Sequence, residues 1–349
     1  MAFPDHRRGT ALGIWAGVSA SALGIGPVIG AVIADTLGWN WIFLLNAPLG
    51  MLAWLLARRV LPRRPSPRQA GRLDFLGAAL SGFALLSLLI ALNQASDSGW
   101  GSPEVIGTVI ASAVLFALFL IREQRTPSPI VDLSMFKNRL FTGANVVTLM
   151  STAVMCSLFF FLALYLQTIV GLSAVASGLT LLPLTLTIIV VSPIACRLTD
   201  KLGAHLPIVV GMALLAAGLL GMSRLSVNAN TSTLMLWLAL TGLGIGIART
   251  PTTATALGNT GRDGYGTAAG IFNTFQATGL ALGISLMGVI LTSFGPQAAF
   301  LREASASHHA AILAGFSIAL TVNAGLAAFA AVFALIVLRP QQTACQAPP

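Results

Sequence analysis

Two carboxamides, Asn273 and Gln276, lie three residues apart in an otherwise apolar stretch, among Gly266, Gly270, Gly279 and Gly283. On a helix such a pair shares a face and can both donate to and accept from a polar ligand. The same amides can instead bond across to a neighbouring helix, an interaction worth about 0.6 kcal/mol in lipid. A second set lies between residues 141 and 170: Asn145, Met150, Met155, Phe159-Phe-Phe161 and, near the end, Gln167. Polarizable thioethers and aromatic rings make a wall that tolerates varied hydrophobic ligands, although the same residue types also pack against lipid or core. Asn145, Met155, Gln167, Asn273 and Gln276 are therefore the candidates for contact with a ligand in a cavity.

The acidic residues lie elsewhere. All ten (Asp5, Asp35, Asp74, Asp97, Glu104, Glu123, Asp132, Asp200, Asp263 and Glu303) fall in loops or at the ends of apolar spans. Proton relays inside membranes normally use Asp, Glu or His within a span. Asp35, at the end of the first span, is the best placed of those present. Cys156, Cys196 and Cys345 have no metal-ligand spacing, and no G-x-x-x-x-G-K-[ST] loop occurs. No nucleophile and base are patterned for catalysis. Neither a metal, a cofactor nor an enzymatic activity is expected.

The elements that must position these side chains follow from composition. Only 8% of the 349 residues are charged and 56% are hydrophobic, against about 25% charged in a typical soluble domain. Such a chain is an all-α polytopic membrane protein. Ten apolar spans are expected at about 11–34, 41–57, 75–92, 105–121, 141–170, 178–196, 206–223, 233–248, 267–293 and 311–338. The net charge of +9 does not indicate nucleic acid, because the arginines fall in short loops and make no continuous basic face. With a cytoplasmic N-terminus, 17 of the 19 Lys and Arg lie on the cytoplasmic side, Arg249 counted among the loop residues. That asymmetry places both termini in the cytoplasm of a multi-pass protein of the cytoplasmic (inner) membrane.

The first span, Ala11 to Ala34, carries no charge in 24 positions, and Ala22, Gly26, Gly30 and Ala34 recur every fourth residue. They form a smooth helical face of the kind against which another helix backbone can pack in lipid, and Pro27 is expected to kink it. Ala22-Leu-Gly-Ile-Gly-Pro-Val-Ile-Gly-Ala31 also resembles the antiporter motif of the major facilitator superfamily, carried here by Gly26, Pro27 and Gly30. Trp39-Asn-Trp-Ile-Phe-Leu-Leu-Asn-Ala-Pro-Leu-Gly50 resembles the start of the following helix in its fourteen-helix drug:proton antiporter branch, the EmrB/QacA type. Tyr165-Leu-Gln-Thr-Ile-Val-Gly-Leu-Ser173 is similar to the first helix and loop of the C-terminal six-helix half. Pro129-Ile-Val-Asp-Leu-Ser-Met-Phe136 is similar to the cytoplasmic connection before it.

The resemblance implies a partial major facilitator fold of ten transmembrane helices with a complete C-terminal six-helix half. Residues 1–60 would be two helices of the N-terminal half and 61–140 two linker helices with the cytoplasmic connection. Residues 141–339 would be the C-terminal half and 340–349 a cytoplasmic tail. The first four helices of the branch would be absent. Arg197-Leu-Thr-Asp-Lys-Leu-Gly203 resembles the family's cytoplasmic gate motif at Asp200, Lys201 and Gly203, with Cys196, Ala204 and His205 departing from it. A tight hairpin that needs glycine is the plainer account of the same loop. The function implied is a multidrug-efflux-like permease for small hydrophobic or amphipathic molecules, proton-coupled in full-length relatives. The alternative is an N-terminally truncated, non-transporting membrane protein or interaction module. The partners expected are the substrate and the bilayer, with self-association or helices supplied in trans, and no nucleic acid.

Overall fold

The computed structural model describes residue 26 and residues 29–60, 74–126, 130–131, 133–225, 231–258, 264–294 and 306–339. Among these residues the chain is helical, without strands. A short helical stretch, α1, covers 29–36. The helices that follow are α2 (Asn40–Val60), α3 (Phe75–Ser98), α4 (Pro103–Arg125), α5 (Arg139–Thr168), α6 (Ala174–Thr180), α7 (Leu182–Leu202), α8 (His205–Ser223), α9 (Thr231–Gly258), α10 (Tyr265–Phe294) and α11 (Ala306–Val337). Nine of the described helices are long and apolar enough to cross a bilayer, and they correspond to the last nine expected spans. Most of the first span lies outside the described residues.

The core belongs to the later helices. Leu158, Leu162 and Leu166 of α5, Leu184 and Ile188 of α7, and Ile208, Met212 and Leu215 of α8 are almost wholly buried in one cluster. α9 contributes Leu238 and Ile245 to it, and α11 contributes Leu320, Ala324, Ala327 and Ala331. In lipid there is no water to drive apolar faces together, so close van der Waals fit has to hold the bundle. Glycine supplies that fit. A Cβ on Gly279 or Gly283 of α10 would strike the backbone of α5 at Leu149 or Ala153, and one on Gly242 of α9 would strike Leu184 of α7. One on Gly211 of α8 would lie 2.6 Å from the amide nitrogen of Ala248 in α9. Polar side chains add few ties. Ser157 of α5 donates to Asn323 of α11 at 3.1 Å, and Ser317 of α11 donates to the carbonyl of Ser223 at 2.5 Å.

Helices α3 and α4 form a hairpin, turned at Gly99 (φ +78°), which only glycine adopts readily. It meets the bundle through α10, where Ala95, Val105 and Val289 come together. At its base Asp74 caps α3 by accepting from the amide of Gly77 at 3.0 Å. Asp74 also takes two bonds from Arg122 of α4, Nε at 3.0 Å and Nη2 at 2.9 Å. Glu123 beside it accepts from the amide of Val131 and so ties the hairpin to the connection before α5. By contrast, α2 has no buried residue among those described, and Arg58 lies over its own Trp54 ring at 4.6 Å.

Two boundaries differ from the expectation. The sixth span was expected from residue 178, but α6 ends at Thr180 and α7 starts at Leu182 with Pro183 in its first turn, where a missing amide is harmless. The eighth was expected to end at 248, with Arg249 in a loop, whereas α9 runs on to Gly258. Thr252, Thr253 and Thr255 return their hydroxyls to carbonyls one turn back, and Ala256 and Leu257 pack with Phe141 and Ala144 of α5. The packed end holds the helix together past its first charge.

Two outcomes test these contacts. Gly283→Ala forces α10 off the α5 backbone and is expected to destabilise the protein by about 1–3 kcal/mol, seen as a lower melting midpoint in detergent. Gly270→Ala, whose Cβ meets nothing within 4 Å, is expected to be neutral or stabilising by up to about 1 kcal/mol through helix propensity.

The second concerns Asp74. Bonds from Arg122 and the Gly77 amide hold its carboxyl below the ordinary value of 3.8. A carboxylate lowered in the native state stabilises above its unfolded pKa and loses that contribution as pH falls through the native one. Arg122 stays 38% exposed, so solvent screens the pair. Wild-type protein is expected to be more thermostable than Asp74→Asn at neutral pH. The difference should persist down to about pH 4 and close below the ordinary value of 3.8, as read by fluorescence melting.

Candidate functional site: a cavity between α5, α8, α9 and α10

The site is built on α9, whose faces are divided by its glycines. Gly242 and Gly246, one turn apart, lie against Leu184, Ile188 and Val191 of α7. Thr241, Gly244 and Ala248 lie against Gly218, Leu215 and Gly211 of α8. The third face, Ile245, Arg249 and Thr252 with Thr253 beside them, is left to line a cavity of about 400 Å³, open mouth included.

The other walls come from three helices. Thr148, Ser151, Thr152 and Met155 form one stripe of α5, at helical spacings of three and four. α10 presents Phe272 and Gln276, and α8 presents Met212 and Leu215. The lining is thus mixed: a hydroxyl-rich stripe, an apolar wall, one amide and one charge. That charge is Arg249, the only charged residue of the lining among the described residues.

Most of the hydroxyl protons are already used within their own helices. Thr148 donates to Ala144 at 2.8 Å, Ser151 to Thr148 at 3.1 Å, Thr252 to Ala248 at 2.7 Å and Thr253 to Arg249 at 3.0 Å, each to a carbonyl. Arg249 Nη1 reaches across the cavity to Met155 Sδ at 3.3 Å. Among the described residues no carboxylate pairs with it. Among the described residues that thioether is the hydrogen-bond partner of the guanidinium, which lies in the cavity lining.

The candidates named from sequence separate. Met155 and Gln276 line the cavity. Asn145 is wholly buried elsewhere in α5, its amide donating to the carbonyl of Phe141 at 2.8 Å while its Oδ1 has no partner among the described residues. Asn273 and Gln167 are exposed. Residues three apart on a helix differ by about 60° in direction, and here that angle divides Asn273 from Gln276. Phe272 and Gln276, four apart, share the wall instead. Of the aromatic run, Phe160 is half exposed and Phe161 packs with Met287 and Ala319.

For the motif positions, Gly26 and Gly30 have nothing within 4 Å of a would-be Cβ, and Pro27 lies outside the described residues. Asp35 is exposed. Gly203 caps α7 at φ +76°, its amide donating to Thr199, and His205 opens α8 two residues later. Lys201 is exposed. The side chain of Asp200 lies outside what the structure describes. Two polar side chains inside the bundle escaped the sequence reading: Arg249, which lines the cavity, and Asn323, which ties α11 to Ser157 of α5. The signal for Arg249 was the repeat of small residues running through it, from Gly242 to Ala254, which marks a packed helix that continues beyond its hydropathy.

Comparison with known proteins bears on what such a cavity belongs to. The family model described as Major Facilitator Superfamily matches residues 1–284 and 185–348. The chain is 32% identical over 292 residues to the tetracenomycin C resistance and export protein of Streptomyces glaucescens, covering 83% of this chain and 54% of that one. It is 32% identical over 338 residues to the puromycin resistance protein pur8 of Streptomyces alboniger, covering 95% of this chain and 66% of that one. Against the lincomycin resistance protein LmrB of Listeria monocytogenes it is 28% identical over 302 residues, or 86% and 64% of the two chains. The chain spans about half to two thirds of the length of these relatives. A bundle of apolar helices packed through glycines around a polar cavity, matched over nearly its whole length by one family, is a multi-pass membrane protein of the major facilitator superfamily.

Proposed function

We propose that this chain is a multidrug-efflux-like permease whose substrates are small hydrophobic or amphipathic molecules. The observation that carries the reading is the mixed polar and apolar lining of the opening bounded by α5, α8, α9 and α10. Permeases of this superfamily bind substrate near the bilayer midplane between two helix bundles that rock about it. Met155 lies near the middle of the 30-residue α5, which suits that depth. The cavity's methionines and Phe272 can repack around different apolar bodies, while Arg249, Gln276 and the threonines offer polar anchorage. The names of relatives, resistance and export proteins for tetracenomycin C, puromycin and lincomycin, agree with substrates of that kind.

Within the superfamily, the reading extends to the fourteen-helix branch. The α3–α4 hairpin pairs with itself and meets the six-helix bundle through α10, as two helices inserted between halves would. Coupling to protons is part of the proposal for the branch. Residues 26, 27 and 30 act in it as a helix-packing motif, and Asp200, Lys201 and Gly203 as a cytoplasmic latch. A second reading, a non-transporting membrane protein, is favoured by one observation: α2 buries none of its residues among those described.

Two measurements decide. Expressed in an efflux-deficient host with insertion verified, the chain is expected to lower accumulation of a hydrophobic dye relative to empty vector, and to lose that effect when the proton gradient is collapsed. Accumulation equal to the vector control favours the second reading. For orientation, the charge asymmetry predicts cytoplasmic readings from reporter fusions after Pro65, Pro129 and Gly261 and external readings after Asp97 and Ser307. Two or more reversals would overturn the topology.

A further inference from the structure

Arg249 reaches further than a general amphipathic cavity requires. It stands nine residues before the end of α9, about 14 Å along the helix axis from that end. Arginines in membrane helices usually turn their heads toward the nearer interface. This one turns inward, to Met155 in the middle of α5. A thioether is a weak acceptor, and among the described residues no carboxylate compensates the charge. The two carboxylates at the hairpin base are engaged elsewhere, Asp74 with Arg122 and Glu123 with the amide of Val131.

We propose that Arg249 is the recognition group for an oxyanion, so that the substrates taken by this cavity are amphipathic anions, a carboxylate or a comparable planar oxyanion on an apolar body. This rests on the permease reading for the cavity and narrows it to one charge class. The guanidinium offers a planar fork of donors that matches a carboxylate with two parallel bonds. Gln276 adds an amide donor from the facing helix. The hydroxyls of Thr148, Thr252 and Thr253 give their protons to their own helices, so they do not compete as donors. Ile245, Met212, Leu215 and Phe272 make the opposite surface for the apolar body. Cations of the same shape meet a fixed like charge and no counter-charge in the lining. α9 cannot easily withdraw the arginine, because Gly242 and Gly244 seat its backbone directly on α7 and α8.

The test is binding to the full chain in lipid nanodiscs, by equilibrium dialysis with tritiated 2-naphthoate, 2-naphthamide and 2-naphthylmethylammonium, three probes of one shape and different charge. Wild-type protein is expected to bind 2-naphthoate about tenfold or more tightly than 2-naphthamide, with the ammonium weakest. Arg249→Gln is expected to remove that preference, and Arg249→Lys to keep part of it. Wild-type protein that binds the three alike, or binds none, overturns the inference. So does Arg249→Gln that keeps the full preference. If Arg249→Gln binds neither 2-naphthoate nor 2-naphthamide, Arg249→Lys decides: a reduced but present preference supports the inference, and its loss with 2-naphthamide binding intact overturns it. Efflux separates the two readings. Charge-selective binding without efflux sinks the permease alone, whereas efflux of the ammonium in preference to 2-naphthoate upholds transport and sinks the anion site.

Discussion

Backbone contact at glycine is the constraint on which this structure depends. Gly211 of α8 and Gly244 of α9 are reciprocal: a Cβ on either would run into the other helix, at the amide of Ala248 in one direction and of Leu215 in the other. Because lipid tails solvate leucine as well as leucine does, helices in a bilayer gain little from apolar contact alone. They gain from approaching closely enough for many weak dispersion contacts to add. Glycine allows that approach and loses helix propensity in return. In this chain the exchange is made at α8–α9, α7–α9 and α5–α10, which are among its most extensive helix pairings.

The cavity is a consequence of the same constraint. A helix seated on neighbours along two faces has a third face whose direction is determined by the other two. For α9, Gly242 and Gly246 take one face and Thr241, Gly244 and Ala248 another, leaving Ile245, Arg249 and Thr252 together. On α10, Gly279 and Gly283 sit on α5 while Phe272 and Gln276 turn to the opening. The glycines carry no ligand-binding group. They decide which neighbouring side chains can.

Much of this was legible in the sequence, and the parts that were not share a cause. Nine spans could be placed because an apolar run long enough to cross a membrane has few other uses, and two cavity-lining residues, Met155 and Gln276, were named from type and position. Arg249 was missed because hydropathy ends a span at its first charge. The structure continues α9 through it on threonine back-bonds and on the packing of Ala256 and Leu257. Asn273 and Gln276 looked equivalent because spacing alone gives a shared face. Which edge of that face points inward depends on where Gly279 and Gly283 meet α5, a tertiary fact. Asn145 is the same lesson reversed: a polar residue inside a span, yet bonded to its own helix and buried away from the opening.

Among the described residues Arg249 is the one charge of the lining, and an anion site built on it would bias the cavity between an open and a closed state. An arginine inside the bilayer is tolerable while water reaches it, and a cavity with an open mouth supplies that water. Closing the mouth removes the water and leaves the guanidinium with a thioether for company. A desolvated charge without a partner is strongly unfavourable, whereas one paired with good geometry recovers much of the penalty. A ligand shifts a conformational equilibrium only by the difference in its interaction with the two states. An oxyanion in contact with Arg249 has such a difference built in, since it contributes most when the cavity is closed and dry. A neutral ligand of the same shape would fill the space and leave the charge stranded. The residue that selects the ligand would then also decide when the cavity is able to close.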